Sequence, residues 1–158
     1  MRLALFQPDI PQNIGAAIRL CACLHASLEI IEPCAFPLSD RAVRRVAMDY
    51  AGLAAVKRRA SWTEFLAVSD RAEGRLLLFT TKAEVSFLDF DYQPGDTLLF
   101  GAESAGAPDY VHAAADARLT IPIAAPARSL NLVTAVTLAL GEALRQTGGF
   151  PSCPVAHL

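Results

Sequence analysis

Three short segments combine residue types that chemistry can use. The first is Pro11-Gln12-Asn13-Ile14-Gly15-Ala16-Ala17-Ile18-Arg19. On a helix, Gly15 and Arg19 stand one turn apart and share a face. A glycine inside a helix costs roughly 1 kcal/mol relative to alanine. Its missing side chain lets a ligand or a second backbone come close. Arg19 adds a permanent cation with a fork of donors suited to phosphate. The plainer alternative makes Asn13 an N-cap and leaves Arg19 in solvent.

The second segment, Leu99-Phe100-Gly101-Ala102-Glu103-Ser104-Ala105-Gly106-Ala107-Pro108, runs from a strand into glycines and a carboxylate. No Gly-Lys-Ser/Thr follows, so it is not a phosphate-cradling P-loop, and it lacks the dinucleotide G-x-G-x-x-G. Glu103 can accept hydrogen bonds from a hydroxyl or an amine, or it can sit at a helix start and answer the dipole. The third segment joins Ile121-Pro122-Ile123 to Arg128-Ser129-Leu130-Asn131-Leu132. Its Ser-x-Asn pair opens a long helix, so it either holds a polar ligand beside free N–H groups or simply caps the helix.

Other chemistry finds less support. His25, His112 and His157 have no metal-ligand spacing, and no Cys-x-x-Cys exists among Cys21, Cys23, Cys34 and Cys153, so no metal is expected. The thiols read as free, buried small residues. Ser104 lacks the G-x-S-x-G context of a hydrolase nucleophile. Arg41, Arg44 and Arg45, with Lys57, Arg58 and Arg59, make a basic run that reads as a solvated face or as phosphate contacts.

These segments need a frame. Apolar strand-like runs alternate with helical periods along the chain: strands over 2–7, 27–32, 54–58, 75–81, 96–101 and 118–123, helices over 13–25, 39–50, 62–69, 108–115 and 131–147. Asn13 is the expected N-cap of the first helix and Ser61 of the third. Residues 83–95 read as a loop. The pattern predicts an α/β fold, a mostly parallel sheet of five or six strands with helices on both faces. In such sheets ligands sit beyond the carboxyl ends of the strands, which points to the loops after residues 7, 81, 101 and 123. Residues 1–150 make a single domain and 151–158 a loose tail.

Charge and hydropathy set limits. A net charge of −2 does not by itself announce a nucleic-acid partner, so any RNA grip must be local or summed over two chains. No apolar run is long enough to span a membrane, and the N-terminal run is too short for an export signal, so a cytoplasmic location is expected. The last helix is apolar on several sides, which means deep burial or a subunit interface.

Taken in order, the three segments resemble the three motifs of the SPOUT class of methyltransferases: Asn13-x-Gly15-x-x-x-Arg19, then Phe100-Gly101-x-Glu103-Ser104-x-Gly106-x-Pro108, then Ile121-Pro122-Ile123 with Ser129-Leu130-Asn131-Leu132. The likeness spans nearly the whole chain and is greatest to the minimal tRNA (cytidine/uridine-34)-2′-O-methyltransferases, which modify the wobble nucleotide of leucine tRNAs. It implies a C-terminal trefoil knot, a homodimer, a tRNA partner and S-adenosylmethionine as methyl donor. By motif, Phe79, Gly101, Ile121, Ser129 and Leu130 would line the cofactor pocket. Arg19, Glu103 and Asn131 would be catalytic, and Asn13, Arg19 and Arg128 would hold the RNA. Relatives often carry a basic residue where this chain has Ala102 or Ala105. The rivals are 2′-O-methylation of another tRNA or ribosomal RNA position, and a non-catalytic RNA-binding protein of the same fold.

Overall fold

The computed structural model describes residues 1–36, 55–67 and 74–152. The expected helix over 39–50, with Arg41, Arg44 and Arg45, lies outside the described residues, as do residues 68–69 of the third helix and 153–158 of the tail.

Strands β1 (Arg2–Phe6), β2 (Ser27–Ile31), β3 (Val56–Arg59), β4 (Leu76–Phe79), β5 (Val85–Ser86), β6 (Thr97–Phe100) and β7 (Ala117–Thr120) form one sheet in the order β3-β2-β1-β6-β4-β7-β5. Every neighbouring pair is parallel. The helices are α1 (Pro11–Leu24), α2 (Trp62–Ala67), α3 (Asp109–Ala114) and α4 (Leu132–Thr147).

Period-two alternation assigns each strand residue to a face. Leu3 and Leu5 of β1, Leu77 and Phe79 of β4, and Leu98 and Phe100 of β6 pack under α1 and α4. Ala4 and Phe6, Leu76 and Leu78, and Leu99 pack on the opposite face with Phe65 of α2 and Val111 of α3. Ile14, Ala17, Ile18 and Cys21 make the buried stripe of α1. Leu132, Val136, Ala139, Leu140, Ala143 and Leu144 make that of α4. A parallel strand buried on both sides must be apolar at every position, which is why β4 reads Leu-Leu-Leu-Phe. Glu29 is a buried exception, neutralised by Arg59 at 2.5 Å on the adjoining strand.

Three expectations are corrected. Asn13 does not cap α1. The helix begins at Pro11 with Ile10 at the cap position, because proline needs no N–H partner at a helix start. Residues 83–95 are not wholly loop: β5 pairs with β7 through only Val85 and Ser86, too short to show alternation. It brings the sheet to seven strands. Cys23 is exposed, whereas burial pushes the Cys21 thiol up to about 12. Ser61 does cap α2, accepting from the Glu64 amide at 3.1 Å, while Glu64 accepts from the Ala60 amide at 2.8 Å.

Candidate active site

Beyond the carboxyl ends of β4, β6 and β7 lies a cavity of about 570 Å³. Its floor is aromatic. Phe79 and Phe100 end neighbouring strands in register, and their rings stack at 4.7 Å and 11°. Ile121 and Ile123, just past β7, add an apolar wall, and Thr80, Lys82 and His112 add polar groups.

The loop after β6 is shaped by its glycines. The Ala102 amide donates to the Gly106 carbonyl at 3.2 Å, and the Gly106 amide returns to Ala102 at 2.8 Å. A Cβ on Gly101 would stand 2.4 Å from the Gly106 carbonyl carbon and 2.5 Å from the Ala107 nitrogen, so only glycine lets the chain fold back there. Gly106 has φ +69, which a side chain would oppose. The resulting turn lifts Glu103 to the cavity mouth, not to a helix start. The helix α3 begins at Asp109, six positions later in the sequence.

Glu103 is held from two sides. Its Oε2 accepts from the Asp9 amide at 2.9 Å, and its Oε1 accepts from Asn13 Nδ2 at 2.7 Å. Asp9 answers reciprocally, its carboxylate accepting from the Glu103 amide at 2.9 Å, the Ser104 amide at 3.1 Å and the Ser104 hydroxyl. The contact with the Glu103 side chain, then the Ser104 and Glu103 donors, hold the Asp9 carboxyl down at about 2 against the upward push of burial. Asn13 is 7% exposed and belongs to a chain of contacts. Its Oδ1 accepts from Asn131 Nδ2 at 3.2 Å. Asn131 in turn caps α4, accepting from the Val133 amide at 2.9 Å and the Thr134 amide at 3.3 Å. The orientation of Asn13 is thereby fixed, since its amide nitrogen must face the carboxylate.

The structure brings Phe79, Gly101, Glu103, Ile121, Ser129, Leu130 and Asn131 around this one cavity, together with Asn13. It does not bring Arg19 or Arg128 into the wall. Arg19 is exposed on α1, about 9 Å along the helix from Asn13. Arg128 is exposed in the segment before α4. The latch role of Asp9 and the place of His112 on the wall were missed from the sequence. Asp9 has no motif of its own, and its partners lie 94 and 95 positions away. Among the described residues, no group of three His, Cys, Asp or Glu could hold a metal ion, and no helix is long and apolar enough to cross a membrane.

A cavity with a stacked aromatic floor, a carboxylate at its mouth and strand-end backbone along its sides suits a ligand with a flat apolar part and a cationic part. Comparisons with known proteins agree. The model of the SpoU rRNA Methylase family matches residues 1–141. A tRNA (cytidine(34)-2′-O)-methyltransferase of Beijerinckia indica subsp. indica is 53% identical over 146 residues, which cover 92% of this chain and 91% of that one. A solved structure described as "Structural insights into the 2-OH methylation of C/U34 on tRNA" superposes with a TM-score of 0.84 at 39% identity, covering 92% of this chain and 94% of that one. The SpoU methyltransferase AviRb from Streptomyces viridochromogenes, solved in complex with the cofactor AdoMet, gives 0.82 at 28%, covering 92% of this chain and 60% of that one.

Proposed function

The chain belongs to the SpoU rRNA methylase family, and from that premise we propose that it methylates the ribose 2′-hydroxyl of nucleotide 34 in tRNA, with leucine tRNAs as its substrates. The observation that carries this reading is the Glu103–Asn13–Asn131 chain of contacts at the mouth of an aromatic-floored cavity. The family's methyl donor is S-adenosylmethionine. The residues present fit it. Phe79, Phe100 and Ile121 offer apolar surface for a purine, and backbone along Gly101, Ser129 and Leu130 offers hydrogen bonds. Glu103 supplies negative charge toward a sulfonium. When bound, the donor supplies an already activated methyl group, so the protein's task is positioning and proton handling.

Both Glu103 oxygens already accept one hydrogen bond, and each has a second lone pair available for a ribose hydroxyl. Asn131 and Asn13 set the orientation of that carboxylate by linking it to the start of α4. No histidine stands in the Glu103–Asn13–Asn131 chain. A guanidinium is a permanent cation with a fork of donors, so the role of Arg19 is phosphate positioning and stabilisation of the developing alkoxide, not proton removal. Its exposed place on α1 fits RNA arriving at the cavity mouth of a second protomer, which is where a homodimer enters. Leu138 on α4 is 44% exposed, Leu130 37% and Ile10 41%, apolar surface that a second copy would cover. Arg128 extends the basic contact from the segment before α4.

The order of the strands in the sheet supports the knotted C-terminal path. The strand β7 lies between β4 and β5, both earlier in the chain, and α4 after it packs on α1. Residues 1–150 act as one catalytic unit, working in the cytoplasm.

A tRNA anticodon stem–loop carrying 2′-deoxyribose at nucleotide 34 tests the reaction. The wild-type ribose substrate accepts a methyl group and the deoxy version accepts none. Equal transfer to both would place the modified atom elsewhere.

A further inference from the structure

An aromatic cluster that reaches the surface among the described residues is left unused by the cavity. Phe6 ends β1 on the face covered by α2 and α3. Trp62 opens α2 and meets Phe6 edge-on, ring centroids 5.7 Å apart at 81°. Tyr110, in the first turn of α3, meets the same ring at 6.2 Å and 71° and stands 6.4 Å from Trp62. Trp62 is stacked from behind by Phe65 at 5.3 Å. Phe6 and Phe65 are 2% and 1% exposed, yet Tyr110 keeps 54% of its surface in solvent. The cluster is thus anchored in the core at one end and open at the other. The contacts with Phe6 and Trp62 leave part of the Tyr110 ring open to a ligand.

This cluster packs on the face of the sheet opposite Phe79 and Phe100, and it nears the cavity along the chain. Ala107 lines the cavity three residues before Tyr110, and His112 lines it two residues after. At most about 11 Å of chain separates Tyr110 from Ala107. Both features lie at the carboxyl edge of the sheet.

Physics supplies the occupant. A chain of net charge −2 gains little general attraction for phosphate. Single-stranded RNA is also held by stacking splayed bases on aromatic rings, at roughly five- to hundredfold in affinity per base. A nucleotide whose ribose enters the cavity must leave the stack of its neighbours, so an adjacent base loses a stacking partner. We propose that Tyr110, braced by Phe6 and Trp62, is a stacking platform for the base next to the methylated nucleotide. The assignment rests on the cavity being an RNA-methylating site, and it adds a determinant for substrate recognition outside that cavity.

The test uses the full chain and an anticodon stem–loop with 2-aminopurine on either side of nucleotide 34. Tyr110→Ala is expected to raise KM for the RNA about tenfold or more, with kcat and S-adenosylmethionine affinity held near wild type and the thermal midpoint lowered by only a few degrees as the contacts with Phe6 and Trp62 are lost. Tyr110→Phe is expected to behave as wild type, because stacking needs the ring and not the hydroxyl. One 2-aminopurine is expected to change fluorescence on binding wild type and Tyr110→Phe but not Tyr110→Ala. An unchanged KM in Tyr110→Ala, or an equal loss in Tyr110→Phe, would overturn the platform. Wild-type chain that transfers no methyl group, yet shows a Tyr110-dependent fluorescence change, would sink the methylation reading and leave the platform standing.

Discussion

At the residue scale, Arg19 is exposed and outside the cavity wall, and its proposed role is to hold RNA. Arg19→Ala should therefore abolish methyl transfer, a fall of at least a hundredfold in kcat, while calorimetry finds S-adenosylmethionine affinity unchanged. Activity equal to wild type would remove Arg19 from the mechanism. Asp9 instead helps to hold Glu103 at the cavity mouth, and its chemistry gives a pH dependence with a definite sign. Its carboxyl is lowered from 3.8 to about 2 in the folded chain. A depressed acid contributes stability that is complete above its unfolded value and lost as pH falls through its folded value. The stability gap between wild type and Asp9→Asn should thus be constant from pH 8 to about 4 and close between about pH 4 and 2. Denaturant melts of both chains across that range measure it, and a gap that persisted at pH 2 would contradict the latch.

At the scale of elements, the sheet positions the site and helix starts complete it. Asn131 does two jobs, capping α4 and holding Asn13. Asn131→Ala should cost about 1 kcal/mol of stability, a drop of roughly 2–4 °C in Tm. Transfer should fall further than that loss explains, because Asn13 and Glu103 lose their brace. A variant with lowered Tm and undiminished kcat would make Asn131 a cap only. Much of this was readable beforehand. The apolar runs of β1, β4 and β6 announced buried parallel strands, and such strands put their loops where ligands sit. Phe79, Gly101 and Ile121 could be placed at the cavity because of the resemblance to the SPOUT motifs, which periodicity alone does not supply. What escaped was what local patterns do not encode. Asn13 looks like a cap in isolation, and only the fold shows it bridging to Glu103 and Asn131. The two-residue β5 has no period to detect, and Asp9 and Tyr110 acquire their roles from partners distant in the chain.

At the scale of the whole molecule, one sheet brings three separated motifs to a single edge, and the acidic balance of the chain leaves the RNA grip to particular groups. The apolar surface left at Ile10, Leu130 and Leu138 predicts a second copy across α1 and α4. Sedimentation at micromolar concentration should give a dimer, and Leu138→Asp should shift it toward monomer and lower transfer. A monomeric wild type would remove the shared RNA site along with the interface. The proposed reaction is transfer to one defined hydroxyl. Labelled methyl from S-adenosylmethionine should be passed to total tRNA, and the modified nucleotide located by mass spectrometry of nuclease fragments. Label is expected on the ribose of nucleotide 34, concentrated in leucine tRNAs. Label at another position, or in ribosomal RNA alone, would contradict it.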